Sequence, residues 1–238
     1  MGKSPYRIIL VKLSGEALAG NDKEFGFDPE VLTRITSEIQ TLIANDIQVG
    51  IVVGGGNLFR GAALTKIGLS RINGDTIGML ATIMNALALQ DIFNHHGLST
   101  CVMSAVPIPT VCESFNARNA RVQLATGKVI ICAAGTGNPL FTTDSAAALR
   151  AIEIGAEIML KATKVDGVYD CDPVRYPNAI RFEHLSYDEV LNRKLEVMDL
   201  TAIVLCRDHK LPIKVFNLNQ SGALFRAVTT ATEGTLIE

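Results

Sequence analysis

An α/β fold, a three-layer α/β/α sandwich with a mostly parallel central sheet, is what this sequence predicts. Three observations predict it. Strand-like and helix-like patterns alternate along the chain. The strand candidates are continuous apolar runs rather than apolar–polar alternations, which fits a parallel sheet covered on both faces. Small-residue loops follow three of those strands, as at the ligand-binding rim of an open parallel sheet. The length of 238 residues suits one large α/β domain or two small ones, and 48% hydrophobic content is enough for a sizeable core. No low-complexity linker, charge block or internal repeat interrupts the pattern.

The first strand is the short apolar run YRIILVKL, Tyr6–Leu13. Asp28-Pro29-Glu30 then opens a helix, with Asp as N-cap, Pro at the first helical position and an acid in the first turn. Val31, Leu32, Ile35, Ile39, Leu42 and Ile43 form its apolar face. QVGIVV, Gln48–Val53, is the second strand, and a helix is expected to begin near Leu58. A long helical pattern runs from about Asp75 to His95. Ser99–Ala105 and Lys128–Gly135 read as further strands. A helix from Asp144 to Ile154 stops at Gly155, a natural residue for a left-handed C-terminal turn. Glu157–Thr163 is another strand, Ser186 to Glu189 has capping-box spacing, and Leu211–Leu218 is a late strand.

Charge and composition exclude several classes. A formal net charge of −2 provides no global basic field for nucleic acid. Five cysteines (101, 112, 132, 171 and 206) contain no Cys-x-x-Cys pair, which suggests reduced thiols and a cytoplasmic location. The N-terminal apolar run is too short for a signal-peptide core. The apolar stretch Ile77–Leu89 falls short of a membrane span and carries Thr82 and Asn85.

The loops after strands carry the chemistry. They are Ser14-Gly15, Gly54-Gly55-Gly56-Asn57 and GTGNPLFTTD, Gly135–Asp144. Glycine lets backbone N–H groups approach an anion, and the following helix N-terminus adds its dipole. A lone strand-Gly-Gly turn is usually only a tight turn; three on one rim point to a ligand. Lys12, at the end of an apolar strand beside Gly15, either snorkels outward or points into that rim. Two familiar phosphate motifs fail. Gly2-Lys3-Ser4 imitates the end of a P-loop, but no strand or upstream glycine precedes it, so it reads as a frayed terminus. A dinucleotide fingerprint is broken by Phe59.

KLSGEAL (Lys12–Leu18), GGGNLFRG (Gly54–Gly61), GTGNPLFTTDSAA (Gly135–Ala147), LKATKVDGVYDCDP (Leu160–Pro173) and VMDLTA (Val197–Ala202) together resemble the bacterial UMP kinases of the amino-acid kinase superfamily. The resemblance runs from Tyr6 to Ile237, and the GTGNPLFTTDSAA block is its most specific part. It implies a single domain over 1–238, with a UMP-binding part over about 1–155 and an ATP-binding part over about 156–238. It implies ATP + UMP → ADP + UDP with Mg²⁺, in pyrimidine nucleotide synthesis.

By the same resemblance Lys12, Leu13, Ser14 and Gly15 meet the ATP phosphates. Gly56 and Arg60 add ATP contacts, and Thr163, Tyr169 and Asp172 match the base-and-ribose region. Gly55, Asp75 and the segment Thr136, Gly137, Asn138, Pro139, Leu140, Phe141, Thr142, Thr143 match the UMP site. Lys12, Arg60 and Asp144 are the catalytic candidates. No direct protein ligand for the metal is implied; Mg²⁺ arrives with ATP, and Asp144 either reaches it through water, orients Lys12, or merely caps a helix. Asp199 shares that ambiguity and reads as structural. One of Lys161 and Lys164 helps with phosphate charge. His95 and His96 end a helix and complement its dipole.

Polyanionic substrates repel, and Lys12, Arg60 and Mg²⁺ offset that repulsion. The acceptor phosphate is already ionised, so no general base is needed. The resemblance also implies a hexamer built from dimers. The long helix fits that, being apolar on too much of its circumference (Met79, Leu80, Ile83, Met84, Leu87, Leu89) for one core-facing stripe. UTP inhibition is implied through the UMP segment. GTP activation is expected to be weak, because positions that are basic in Gram-negative members read Gln90, Asn94 and Cys101, with only Lys128 cationic. Two alternatives keep the fold: a kinase of carboxylates or carbamate, and a non-catalytic nucleotide-binding protein.

Overall fold

The computed structural model describes residues 4–20, 25–60 and 68–238. The apolar run at the start becomes β1 (Ile8–Leu13), and one turn of helix, α1 (Gly15–Leu18), follows it directly. Asp28 caps α2 (Pro29–Ile43) as expected, its carboxylate accepting from the backbone N–H of Glu30 and Val31. β2 (Gln48–Val53) then leads into the triglycine bend. Among the described residues no helix begins near Leu58, contrary to expectation: residues 56–58 form a turn and Phe59 and Arg60 are irregular, while Gly61 of the glycine motif lies outside the described residues, as do Gly2 and Lys3.

The long helix α3 (Arg71–His95) begins one turn earlier than the sequence suggested, because Ser70 is its N-cap. Next come β3 (Thr100–Ser104), β4 (Glu113–Ser114), α4 (Ala117–Ala125) and β5 (Val129–Ala133). The helix α5 (Thr143–Ile154) stops at Gly155, whose φ of 76° is the left-handed turn expected there. β6 (Ile158–Thr163) is followed by three two-residue strands, β7 (Val168–Tyr169), β8 (Arg181–Phe182) and β9 (His184–Leu185). The Ser186–Glu189 capping box forms and opens α6 (Tyr187–Asn192). The chain closes with α7 (Leu200–Asp208), β10 (Ile213–Asn217), α8 (Ala223–Thr229) and β11 (Thr235–Ile237).

Nine strands form one sheet in the order β4-β3-β5-β2-β1-β6-β10-β11-β9; β7 and β8 form a separate antiparallel pair. Among the described residues only the β10–β11 pair of the large sheet is antiparallel. Alternate side chains leave opposite faces of a strand. Ile9, Val11 and Leu13 therefore pack with α2, α3 and α8, while Leu10, Val52 and Ile130 pack with α4, α5 and α7. These two cores are the two interfaces of the three-layer sandwich.

α3 has 25 residues, and an 18-residue stretch of it reaches a mean hydropathy of 1.4, long and apolar enough to cross a membrane, contrary to the shorter apolar stretch read from sequence. Its packing argues otherwise. Ala86, Leu89 and Phe93 are buried against the sheet, and Asn85 is buried and hydrogen-bonded. Ile83 and Leu89 thus belong to the chain's own core, whereas Leu80 and Met84 face outward with Ile72 and Ile77. All five cysteines are free; Cys101, Cys132 and Cys206 are buried, and Cys171 is exposed.

Candidate active site

Lys12 lies one residue from the end of β1, and its register partner on the adjacent β6 is another lysine, Lys161. Leu10 and Met159, two residues back on each strand, pack on the α5 side of the sheet. The period of two therefore sends both lysines to that same side. There α5 begins. Thr142 is its N-cap, accepting from the N–H of Asp144 at 3.1 Å and of Ser145 at 3.2 Å. Asp144 is thus not the N-cap; it sits in the first turn with its carboxylate turned to the lysines.

Lys161 Nζ donates to Asp144 Oδ2 at 2.7 Å, and Lys12 Nζ lies 3.0 Å from Oδ1. Lys161 also donates to the Val197 carbonyl. Only 12–15% of these three side chains is exposed. Burial pushes the Asp144 carboxyl upward, but Lys12 and Lys161 outweigh it and hold the group below the usual carboxylate range. Burial lowers the Lys161 ammonium, and the Lys12 charge adds to that, against the pull of Asp144. Two cations on neighbouring strands repel, and the shared carboxylate keeps them together. Asp144 Oδ1 is buried beside the Lys12 ammonium alone, which leaves one of its lone pairs unused. That unused lone pair fits a water carried by a bound metal ion. Among the described residues no three His, Cys, Asp or Glu side chains cluster to hold a metal directly.

Asp199 is structural. It caps α7 through the Ala202 N–H at 3.1 Å, accepts from Ser145 Oγ at 2.8 Å, and receives the Thr142 hydroxyl. It ties the start of α7 to the start of α5, so it fixes where Asp144 stands.

The glycines turn out to serve packing first. A Cβ on Gly15 would lie 2.5 Å from Gly56 N and 2.7 Å from Gly54 O, so the turns after β1 and β2 touch backbone to backbone. A Cβ on Gly55 would meet Ala81 and the Gly78 carbonyl of α3 at 2.9 Å. A buried amide pair fastens the bend: Asn85 Nδ2 donates to Gly54 O and to Asn57 Oδ1, each at 2.7 Å, and Asn57 Nδ2 donates to Gly26 O at 2.9 Å. Arg60 rests at the edge, 3.4 Å from Glu16 and from the Gly56 carbonyl.

One cavity of 490 Å³ opens beside this bend, between α3 and the loop after β5. Gly55, Gly56, Asp75, Thr136, Asn138, Phe141, Thr142 and Thr143 line it, together with Arg71. Gly137, Pro139 and Leu140 do not; Gly137 packs on Ala105, and Leu140 contributes its N–H to Asp75 Oδ2 at 2.8 Å. Ala134, Gly135, Gly137 and Leu140 all have φ between 57° and 80°. Thr82 Oγ1 accepts from the Ala134 N–H at 2.8 Å, and the buried Arg150 donates to the Gly135 carbonyl at 3.1 Å while its guanidinium lies over Phe115.

A second cavity, also of 490 Å³, lies beyond β6, lined by Thr163, Val165, Tyr169, Asp172 and the segment 193–197. Tyr169 OH donates to Asp166 at 2.6 Å, and Asp172 accepts from the Val174 N–H at 2.9 Å. Thr143 borders the first cavity and Val197 the second. The Lys12–Asp144–Lys161 group, bonded to one and next in sequence to the other, stands between them. Leu13 is buried in the core and offers only backbone to the rim. Ser14 caps α1 and, with Lys164 and Arg34, lines a cleft of 50 Å³. Sequence reasoning left Lys161 and Lys164 undecided; the geometry selects Lys161 as the partner of Asp144. It missed Arg71, whose signal was its position four residues before Asp75, and Asn57 with Asn85, which carried none.

Residues 7–217 match the profile of the Amino acid kinase family. The uridylate kinase of Pseudomonas syringae pv. syringae (strain B728a) is 58% identical over 233 residues, 98% of this chain and 94% of that one. Among solved structures, the UMP kinase of Bacillus anthracis superposes with a TM-score of 0.95 at 36% identity, covering 98% of this chain and 96% of its own. The UMP kinase of Ureaplasma parvum gives 0.91 at 35% identity, with 98% of both chains covered. A parallel sheet with paired cavities on its rim and a lysine–carboxylate–lysine group between them is the framework of a phosphotransferase. The chain belongs to the amino acid kinase family, and the relatives it matches across its length are uridylate kinases.

Proposed function

We propose that this enzyme transfers the γ-phosphoryl group of ATP to UMP, giving ADP and UDP for pyrimidine nucleotide synthesis. The observation that carries the reading is the Lys12–Asp144–Lys161 group standing between two cavities of equal volume. UMP occupies the first, held by Gly55, Asp75 and the segment Thr136–Thr143. ATP occupies the second through Thr163, Tyr169 and Asp172, with its phosphates over Lys12, Ser14, Gly15, Gly56 and Arg60. Residues lining the first cavity all precede 155 and those lining the second all follow 156, in support of the division into UMP and ATP parts.

The acceptor is a phosphate oxygen that is already anionic, so the site needs cations rather than a base. Asp144 holds the two lysines in place before substrate arrives, so their charge needs little reorganisation when the phosphoryl group moves. Mg²⁺ bound with ATP supplies further neutralisation of the β- and γ-phosphates, and Asp144 Oδ1 is the atom suited to a water of its shell.

A homo-oligomer, a hexamer built from dimers, accounts for the outward Ile77, Leu80 and Met84 of α3. UTP competes at the UMP segment, GTP activates weakly, and the free thiols suit a cytoplasmic location. Transfer to a carboxylate is disfavoured by the names of the relatives and by the nucleotide-sized first cavity. A coupled ADP-release assay across UMP, CMP, dUMP and acetylglutamate tests the reading. ADP formed with UMP supports it; ADP formed with acetylglutamate and not with UMP overturns it.

A further inference from the structure

Arg71 is oddly placed for a residue serving only its own helix. It is the first residue of α3, where the positive end of the helix dipole disfavours a cation. Its partner Asp75 follows at i+4, and a base preceding an acid is the weaker order for such a pair on a helix. Arg71 is also 63% exposed, where a pair adds little to stability. Yet its Nε lies 2.8 Å from Asp75 Oδ1 and 2.9 Å from Oδ2, and both residues line the first cavity. Asp75 Oδ2 also receives the N–H of Leu140 at 2.8 Å, from a residue with φ of 74°.

One carboxylate thus joins the start of α3 to the loop across the cavity. Two carboxylate oxygens offer about four lone-pair positions, and these two N–H groups leave some unfilled. A free aspartate rotates easily about its terminal bond, so an acceptor pair meant for a ligand needs something to stop it.

We propose that Arg71 is the positioning residue for Asp75 and, through it, for the vicinal hydroxyls of the ribose of the bound nucleoside monophosphate. The proposal rests on UMP being the acceptor. It makes Arg71 a determinant of ribose over deoxyribose without contact with the sugar. Two hydroxyls fill the lone-pair positions that Arg71 and Leu140 leave open on an aligned carboxylate, and a deoxy sugar leaves one of those positions unfilled.

The experiment is a double-mutant cycle of Arg71→Gln and Asp75→Asn, with kcat and KM measured for UMP and dUMP at saturating ATP. In the wild-type background Arg71→Gln is expected to raise KM for UMP about tenfold with a much smaller change in kcat, and to shrink the UMP/dUMP ratio of kcat/KM by a similar factor. In the Asp75→Asn background the same substitution should change neither. Arg71→Lys, keeping the charge without the Nε donor, should fall between the two. An Arg71 effect that persists without Asp75 overturns the proposal, because Arg71 then touches substrate itself. An unchanged UMP/dUMP ratio, or an equal loss with both nucleotides tracking a lowered melting temperature, overturns it as well. A wild-type enzyme that releases no ADP with UMP removes the underlying reading instead, and is distinguished before any variant is made.

Discussion

The two large cavities have the same volume and opposite construction. The first is held by contacts between residues far apart in sequence: Asp75 to Leu140, Asn85 to Gly54, Arg150 to Gly135. Its loop contains two non-glycine residues in the left-handed region, Ala134 and Leu140, each a strain of about 1–3 kcal/mol that the surroundings must offset. The second is walled by two-residue strands and turns that are tied to the sheet through Val168 and Val197, but its exposed polar side chains pair with near neighbours: Tyr169 with Asp166, Asp172 with Val174 and Arg175. On the proposed assignment of UMP to the first cavity and ATP to the second, the difference fits an acceptor site held from across the fold, where similar nucleotides must be told apart, beside a donor site whose Tyr169 and Asp172 are organised locally. It also makes the boundary between them, where Lys12 and Lys161 share Asp144, the place where the greatest effects are expected.

The largest expected effect is therefore at that boundary. Lys12→Ala should lower kcat by about two orders of magnitude or more, the scale of removing one preorganised charge-stabilising donor. Steady-state kinetics with both substrates saturating, on a variant whose circular dichroism matches the parent, checks this. Turnover near the parent's would break the comparison, because the two cavities would then no longer meet at a catalytic group.

The same contrast decides what could be read in advance. Glycine bends, an N-cap followed by proline, and a capping box leave marks in a sequence, so β1, α2, β2, α5, α6 and the first cavity's loop were legible. A lysine ending an apolar run also marked Lys12. Two-residue strands such as β7, β8 and β9 bury too little to show any period, and α4, α7 and α8 are short helices without a strong stripe. The sequence leaves Asp144 between an N-cap and a partner of Lys12, and the choice depends on register: only the alignment of Lys12 with Lys161 across two strands shows one carboxylate shared by both. The buried Asn57–Asn85 pair lies 28 residues apart in sequence, and no local pattern announces it.

Next in size is base choice in the first cavity. UMP should be preferred over CMP by at least about tenfold in kcat/KM, since a site with fixed hydrogen-bonding groups rejects an analogue that leaves them unpaired. Thr136 and Asn138, held by each other's backbone and side chain, are the groups in question. Competition kinetics with both nucleotides in one reaction measures the ratio directly. Equal use would show that the fixed groups of the first cavity do not read the base, and would remove the contrast drawn between the two cavities.

A smaller effect is expected at Asp172. It is half exposed and paired only locally, so Asp172→Ala should raise KM for ATP by about three- to tenfold, the loss of one or two modest hydrogen bonds. KM for UMP should not move. A matching rise in both would mean that the cavities are coupled rather than independently built.

The smallest effect concerns the opposite edge of the sheet, beyond both cavities. The resemblance implies that several Gram-negative members respond to GTP through basic side chains at positions that here are Gln90, Asn94, Cys101 and Lys128. In this chain those positions are engaged elsewhere. Gln90 donates to the Thr100 carbonyl at 3.1 Å, and Asn94 accepts from the Thr100 N–H at 3.1 Å. Cys101 donates to Glu113 at 3.3 Å, and burial with that carboxylate pushes its thiol up to about 12, so it stays neutral. Lys128 donates to Gln123 at 3.3 Å, and the Glu113 carboxylate accepts from Gln123 in the same cluster. A triphosphate draws on several charge-assisted bonds of about 1.5–3 kcal/mol each, and a cluster with one cation and one anion offers few of them. Titration of GTP at subsaturating ATP should raise the rate by less than about twofold, a coupling well under 1 kcal/mol. UTP should still inhibit, because it competes at the Thr136–Thr143 segment and needs nothing from this edge. Several-fold activation at sub-millimolar GTP would show that other cations serve this edge, and that the Glu113 cluster opens when the effector binds.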